Sequence, residues 1–306
     1  MTPKTFGAKA AHAHRWAALP ERGTPASLRL IAWIAVHIGR RAARLLLYPI
    51  TLFFLIIANP ARRASYEYLK RVRRHPAHWR HVFRHLHFFA ATILDRIYLL
   101  RGEFEHFDVT IHGKEILHRQ IETGKGGILL GSHFGSFEVS RAIGVTQRDF
   151  PLKVLMDIAH NENISRFLDS LNPKIAGTVI APDQPDTLLR VKESLDAGFF
   201  IGMLGDRVPG GDKTTQCQFF GAPATFPAGP ILLAAMMHSP VILFFGLYRG
   251  GNRYEIYFEN FAQEIILNRD RRAEDIQRWM QRYVERLEHY AHLAPYNWFN
   301  FYPFWD

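Results

Sequence analysis

Short, mainly apolar runs separated by helical stretches constrain this chain more than any other feature. They lie at 126–132 (GGILLGS), 152–158 (LKVLMDI), 199–204 (FFIGML) and 241–248 (VILFFGLY). Runs this short, bounded by glycine or polar residues, read as strands, and those with no polar alternation read as strands covered on both faces. A short strand at 178–181 and an alternating one at 253–261 extend the set. Between them the spacing predicts helices over 163–171, over 187–197 (ended by Gly198), over 230–238 and over 271–293. In the last of these Ile276, Met280, Val284, Leu287 and Tyr290 share one face. Strands alternating with helices imply an α/β fold: a mostly parallel central sheet with helices on both faces. Length supports a full core, and no internal repeat or low-complexity segment interrupts it.

The first third has a different character. Of the formal charge of +10, residues 1–110 carry +12 and the remainder −2, and nine of the 16 histidines also fall in the first 110. A cationic segment on a nearly neutral body seeks phosphate, in anionic lipid, nucleic acid or an acidic carrier protein. The strongest apolar segment, 45–58 (LLLYPITLFFLIIA), holds Pro49 and spans roughly 21 Å as a helix, short of a hydrocarbon core of roughly 30 Å. A second apolar run at 31–39 precedes it, but Arg40, Arg41 and Arg44 fall between the two. One continuous span would bury three arginines, at about 3 kcal/mol each. The expectation is a helix that lies along the interface or enters one leaflet, with the arginines at lipid phosphates. From 62 to 89 basic, aromatic and His residues interleave, and Pro76 divides them into two helices. The first 25 residues show no apolar stretch followed by a small-residue cleavage site. The chain is therefore expected to divide into a basic, membrane-associating helical region, 1–102, and an α/β domain, 103–306. A single cysteine, Cys217, excludes a disulfide framework and a cysteine-ligated zinc site, and reads as structural. No base-reading module is present, so a nucleic-acid partner is not expected.

Ligands of such sheets bind at the carboxyl ends of the strands. His133 stands there, directly after the 126–132 strand, in GSHFGSFEVS. Glu138 follows five residues on. In a regular helix the two side chains would diverge, so they meet only if 133–136 form a turn, which Gly135 permits. Glu138 would then accept from His133 Nδ1, fix the tautomer and leave Nε2 free as a general base. The spacing of His and acid alone carries little weight. Its position at a strand end, among glycines and before a helix, carries the inference. No nucleophile elbow of the G-x-S-x-G kind is present.

HFGSFE resembles the His-x4-Glu motif of the late lipid A biosynthesis acyltransferases, within the lysophospholipid/glycerophospholipid acyltransferase superfamily. The resemblance extends over most of the chain. It takes in HRWAALPERGT near the start, MDIAHNENISRFLDSL after the second strand, GDRVPGGDKTTQCQFFGAPATFPAGPILLA, and SPVILFF. It implies an O-acyltransferase that moves a fatty acyl group from an acyl thioester, acyl-acyl carrier protein or acyl-CoA, to a hydroxyl of a lipid or glycolipid. It also implies direct attack by the acceptor hydroxyl, without an acyl-enzyme, and the lack of a nucleophile elbow agrees with that. No cofactor or metal is expected. His133 and Glu138 would be catalytic. Arg166 and Arg207 would contact the oxyanion or an acceptor phosphate, with backbone amides near 131–135 as the alternative oxyanion donors. Asp206 would orient Arg207, and Phe219, Phe220, Gly221 and Phe226 would line the acyl chain's path. The implied partners are acyl carrier protein and anionic lipids, at the cytoplasmic face of a bacterial inner membrane. The tail departs from the family: in place of a His-Arg-Arg-Phe element after the tryptophan it runs YNWFNFYPFW, without a basic group. That favours an acceptor other than a lipid A precursor, and a tail that packs on lipid or covers the acyl channel. The competing readings are a basic lipid-binding protein without catalysis and a hydrolase of acyl thioesters on the same fold.

Overall fold

A computed structural model describes residues 33–73, 75–137, 139, 150–156, 177–208 and 212–305. Among the described residues, 33–37 are helical and are followed by the helices α1 (Arg40–Ile57), α2 (Asn59–Arg73) and α3 (Trp79–Leu100). There follow β1 (Asp108–His112), α4 (Lys114–Glu122), β2 (Ile128–Gly131), β3 (Leu152–Leu155), β4 (Val179–Ile180), α5 (Thr187–Asp196) and β5 (Phe200–Leu204). The rest comprises β6 (Thr214–Phe219), β7 (Ala222–Pro227), α6 (Gly229–Met237), β8 (Val241–Gly250), β9 (Arg253–Ala262) and α7 (Arg272–Leu293).

Seven strands form one sheet in the order β1-β9-β8-β2-β5-β3-β4, parallel throughout except for the β8–β9 hairpin. The α/β class read from the sequence is the observed one. All four residues of β2 are buried, as are the first eight of β8. Successive strand side chains point to opposite faces, so unbroken burial means that both faces are covered, which is why these runs lack polar alternation. Strand β9 instead alternates buried and part-exposed positions, and its sequence alternates with it. In α7 the predicted stripe holds: Met280, Val284, Leu287 and Tyr290 are buried, together with Tyr283.

Two parts of the architecture left little trace in the sequence. Strand β1 buries no residue fully and α4 buries only Leu117, so neither needed an apolar pattern. Strands β6 and β7 form a separate antiparallel hairpin, closed by Phe220 and Gly221 at φ 51° and 74°. Two successive positive φ angles make a turn that matches the twist of a two-residue hairpin. Phe220 accepts the strained conformation with its amide bonded to Glu288 and its ring against Tyr68 and His292.

The N-terminal helices are tied to the sheet by a buried carboxylate. Asp95 on α3 is fully buried and receives Arg40 Nε at 2.9 Å, Arg44 NH1 at 3.1 Å and the Tyr254 hydroxyl at 2.8 Å. Arg40 and Arg44, expected at lipid phosphates, therefore point into the protein. A buried Asp without a cation would be too costly, and these two guanidinium groups neutralise it. Arg41 is exposed. The opposite face of α1 is apolar and open: Leu45, Tyr48, Phe53 and Ile56 are 54–69% exposed. No single described helix is long and apolar enough to cross a membrane, whereas α1 and α2 together, bent by 96°, reach the required length and composition.

Candidate active site

Parallel pairing of β2 with β5 sets Gly131 beside Leu204. Two residues further along each strand, at the carboxyl edge of the sheet, this register brings His133 beside Asp206. His133 Nδ1 lies 2.8 Å from Asp206 Oδ1, and the His133 main-chain N–H is 3.0 Å from both carboxylate oxygens. The indole Nε1–H of Trp298 donates to Asp206 Oδ2 at 2.9 Å. Asp206 and Trp298 are buried, while the His133 side chain keeps 32% exposure. Asp206 thus occupies the place that the sequence reading assigned to Glu138. Residues 138 and 166 lie outside the described residues, as does the helix expected over 163–171.

These contacts define the proton positions. A carboxylate only accepts, so the bond to Asp206 places the proton on Nδ1 and leaves Nε2 unprotonated in the neutral ring. Burial and then the nearby Arg207 charge lower the His133 pKa below 6.5, against the opposing pull of Asp206. The ring is neutral near pH 7. Burial alone would raise the Asp206 pKa, but His133, Arg207 and the Trp298 N–H outweigh it and hold the carboxyl below 3.8. The result is a neutral imidazole backed by an ionised carboxylate, the arrangement a general base requires.

The loop after β2 is held by close main-chain packing. Gly135 adopts φ 58°, and a Cβ there would lie 1.7 Å from the carbonyl oxygen of Gly246. The turn expected between His133 and the next helix is present. Ser136 closes it, its Oγ accepting from the Val139 N–H at 3.4 Å in the manner of an N-cap. The amides of this loop are already engaged: Phe134 with Ser132 O, Gly135 with Asn297 O, and Ser136 with Gly246 O, at 2.7–2.9 Å. With His133 N on Asp206, each amide from 133 to 136 has an acceptor within the protein. The cation beside the dyad is Arg207, which donates to Phe299 O at 2.9 Å and lowers the pKa of both His133 and Asp206. Asp206, expected from the sequence to orient Arg207, is bonded to His133 and Trp298.

The C-terminal tail builds the remaining wall. Residues 297–299 run against 133–135: Gly135 N donates to Asn297 O at 2.7 Å and Phe299 N to His133 O at 2.9 Å. Asn297 also bonds the main chain of Tyr248 on both sides, accepting from its N–H at 2.7 Å and donating to its carbonyl at 3.0 Å. His85, fully buried with its pKa lowered to about 4 by burial, donates from Nε2 to Trp298 O at 2.8 Å. Its Nδ1 accepts from the Ser65 hydroxyl at 2.8 Å. Phe219 and Phe226 are fully buried; Phe219 packs on Trp298 and stacks on Trp305 with ring centroids 5.6 Å apart. These two rings support the tail, and Phe220 and Gly221 form the hairpin turn. Cys217 is buried with its thiol pushed up to about 12 by desolvation, which suits packing and not nucleophilic attack.

No individual curated protein is similar enough to this chain to match it. Residues 68–306, which include β2, β5, the tail and every residue of the His133 site, match the family described as bacterial lipid A biosynthesis acyltransferase. The chain belongs to the bacterial lipid A biosynthesis acyltransferase family, whose chemistry is acyl transfer to a lipid.

Proposed function

We propose that this protein is an O-acyltransferase in which His133 is the general base, Asp206 its carboxylate partner and a lipid hydroxyl the nucleophile. The bond between His133 Nδ1 and Asp206, with the His133 side chain part-exposed at the carboxyl edge of the sheet, carries this reading. Nε2 removes the proton from the acceptor hydroxyl as its oxygen attacks the carbonyl carbon of an acyl thioester. Asp206 stabilises the imidazolium that forms. The tetrahedral oxyanion develops near the positive field of Arg207, and Arg166 is proposed to share the oxyanion or an acceptor phosphate. Collapse breaks the carbon–sulfur bond. The imidazolium returns its proton to the departing thiolate, leaving an ester and a free thiol. Glu138 is proposed as a second carboxylate of the dyad, acting through charge because Nδ1 is already taken. The donor is acyl-acyl carrier protein, and neither metal nor cofactor takes part.

The open apolar face of α1 supports attachment to the cytoplasmic face of a bacterial inner membrane, with basic side chains at anionic lipids. Leu45, Phe53 and Ile56 would each contribute about 1 kcal/mol on burial in acyl chains. The test is transfer of a labelled acyl chain from acyl-acyl carrier protein to detergent-solubilised lipid of the source cells. The wild type is expected to form labelled lipid and His133→Ala none, while still sedimenting with anionic vesicles. Equal turnover in His133→Ala would refute the mechanism. If Glu138 alone oriented the ring, Glu138→Gln would be inactive and Asp206→Asn fully active.

A further inference from the structure

Among the described residues, His133 and Trp298 both direct N–H groups at the Asp206 carboxylate, and His133 belongs to the reaction just proposed. Trp298 reaches the dyad from a position 92 residues beyond Asp206 in the chain. Its indole is fully buried. Its ring is fixed on several sides by Tyr68, Phe219 and Phe304, at centroid distances of 5.0, 5.1 and 4.9 Å. Its carbonyl is held by the buried His85, and the next amide, Phe299 N, grips the carbonyl of His133 itself. So many restraints on one side chain leave the indole N–H a single direction, toward Asp206 Oδ2. The other oxygen, Oδ1, is thereby presented to His133 Nδ1.

We propose that Trp298 is a positioning residue for catalysis: its N–H fixes which Asp206 oxygen faces the imidazole and disperses the charge on that carboxylate. The idea rests on His133 acting as the base. Without the indole donor, the carboxylate becomes a stronger acceptor and is freer to turn. The imidazolium is then better stabilised in the resting enzyme, and the base is neutral over a narrower pH range. A tryptophan that merely filled space would leave the pH profile where it is.

The experiment measures acyl transfer from acyl-acyl carrier protein to solubilised lipid as a function of pH. It compares the wild type, Trp298→Phe, a variant carrying benzothienylalanine at 298 (same shape, sulfur in place of N–H) and the double variant Trp298→Phe with Asp206→Asn. Removing the N–H should lower kcat about 10-fold with KM unchanged, and move the acid limb up by roughly half a pH unit. In the Asp206→Asn background an indole N–H forces the amide NH2 toward His133. There Trp298→Phe should raise activity several-fold by letting the amide turn. The proposal is overturned if both 298 variants keep the wild-type acid limb or move it down, or if the double variant is no better than Asp206→Asn alone. A fully active His133→Ala would instead defeat the catalytic reading on which it rests.

Discussion

Replacing Asp206 by Asn changes one atom and no volume, yet the geometry around it predicts a large loss. Among the described residues, three N–H groups converge on the carboxylate: Trp298 Nε1 on Oδ2, His133 Nδ1 on Oδ1, and His133 N on both. Asparagine offers one oxygen and one NH2. If the NH2 takes the Oδ2 position it meets the Trp298 N–H, and a buried donor without an acceptor costs about 1–3 kcal/mol. If it takes the Oδ1 position, Trp298 keeps its acceptor and the NH2 donates to His133 Nδ1. The imidazole must then carry its proton on Nε2, and the base is lost. The second orientation is favoured by the avoided cost, so about 5–150-fold more molecules hold the wrong tautomer. Loss of the countercharge for the imidazolium adds to this, for a total fall in kcat of about 10³–10⁴-fold. Residual activity should have its acid limb at lower pH, because Asp206 raises the His133 pKa. Stability responds with a defined sign. The Asp206 pKa is depressed in the folded protein, so its contribution is complete above the ordinary carboxylate range and fades as pH falls through the folded value. Wild type and variant should therefore differ most near neutrality and converge below about pH 4. Acyl-transfer kinetics and denaturant unfolding across pH check both points. An Asp206→Asn enzyme retaining a tenth or more of wild-type kcat would rule out this role for the carboxylate.

Gly135→Ala should destabilise by about 3 kcal/mol or more and abolish transfer, because the methyl would overlap the Gly246 carbonyl at an unfavourable φ; urea unfolding reads the loss. Asn297→Ala orphans a buried N–H and a buried carbonyl of Tyr248, at about 1–3 kcal/mol each, and should lower Tm together with kcat. Asp95→Ala leaves Arg40 and Arg44 facing a buried gap and should cost about 3–5 kcal/mol in guanidinium unfolding. Leu45→Asp, Phe53→Asp and Ile56→Asp together should weaken co-sedimentation with anionic vesicles about 100-fold, while turnover on detergent-solubilised substrates stays unchanged.

Local pattern was enough to mark the strands that are buried on both faces, the α7 stripe and the position of His133 where a strand ends. Runs such as ILLG and FIGML admit no polar side chain because both sides of the sheet are covered. Gly135 was likewise legible as the turn. The bond between Asp206 and the imidazole was not. Glu138 is close in sequence, whereas Asp206 becomes a neighbour only because β5 pairs with β2 in a register that sets residue 204 beside 131. Strand adjacency is a long-range choice, made by packing and invisible to any local period. For the same reason the aromatic tail read as packing on lipid or covering the acyl channel, and its bonds to the dyad and its loop were not foreseen. Arg40 and Arg44 looked like lipid ligands until the fold supplied Asp95, buried and in need of positive charge. Side-chain chemistry is written locally, but the partner that gives each charge or proton its role is chosen by tertiary contact.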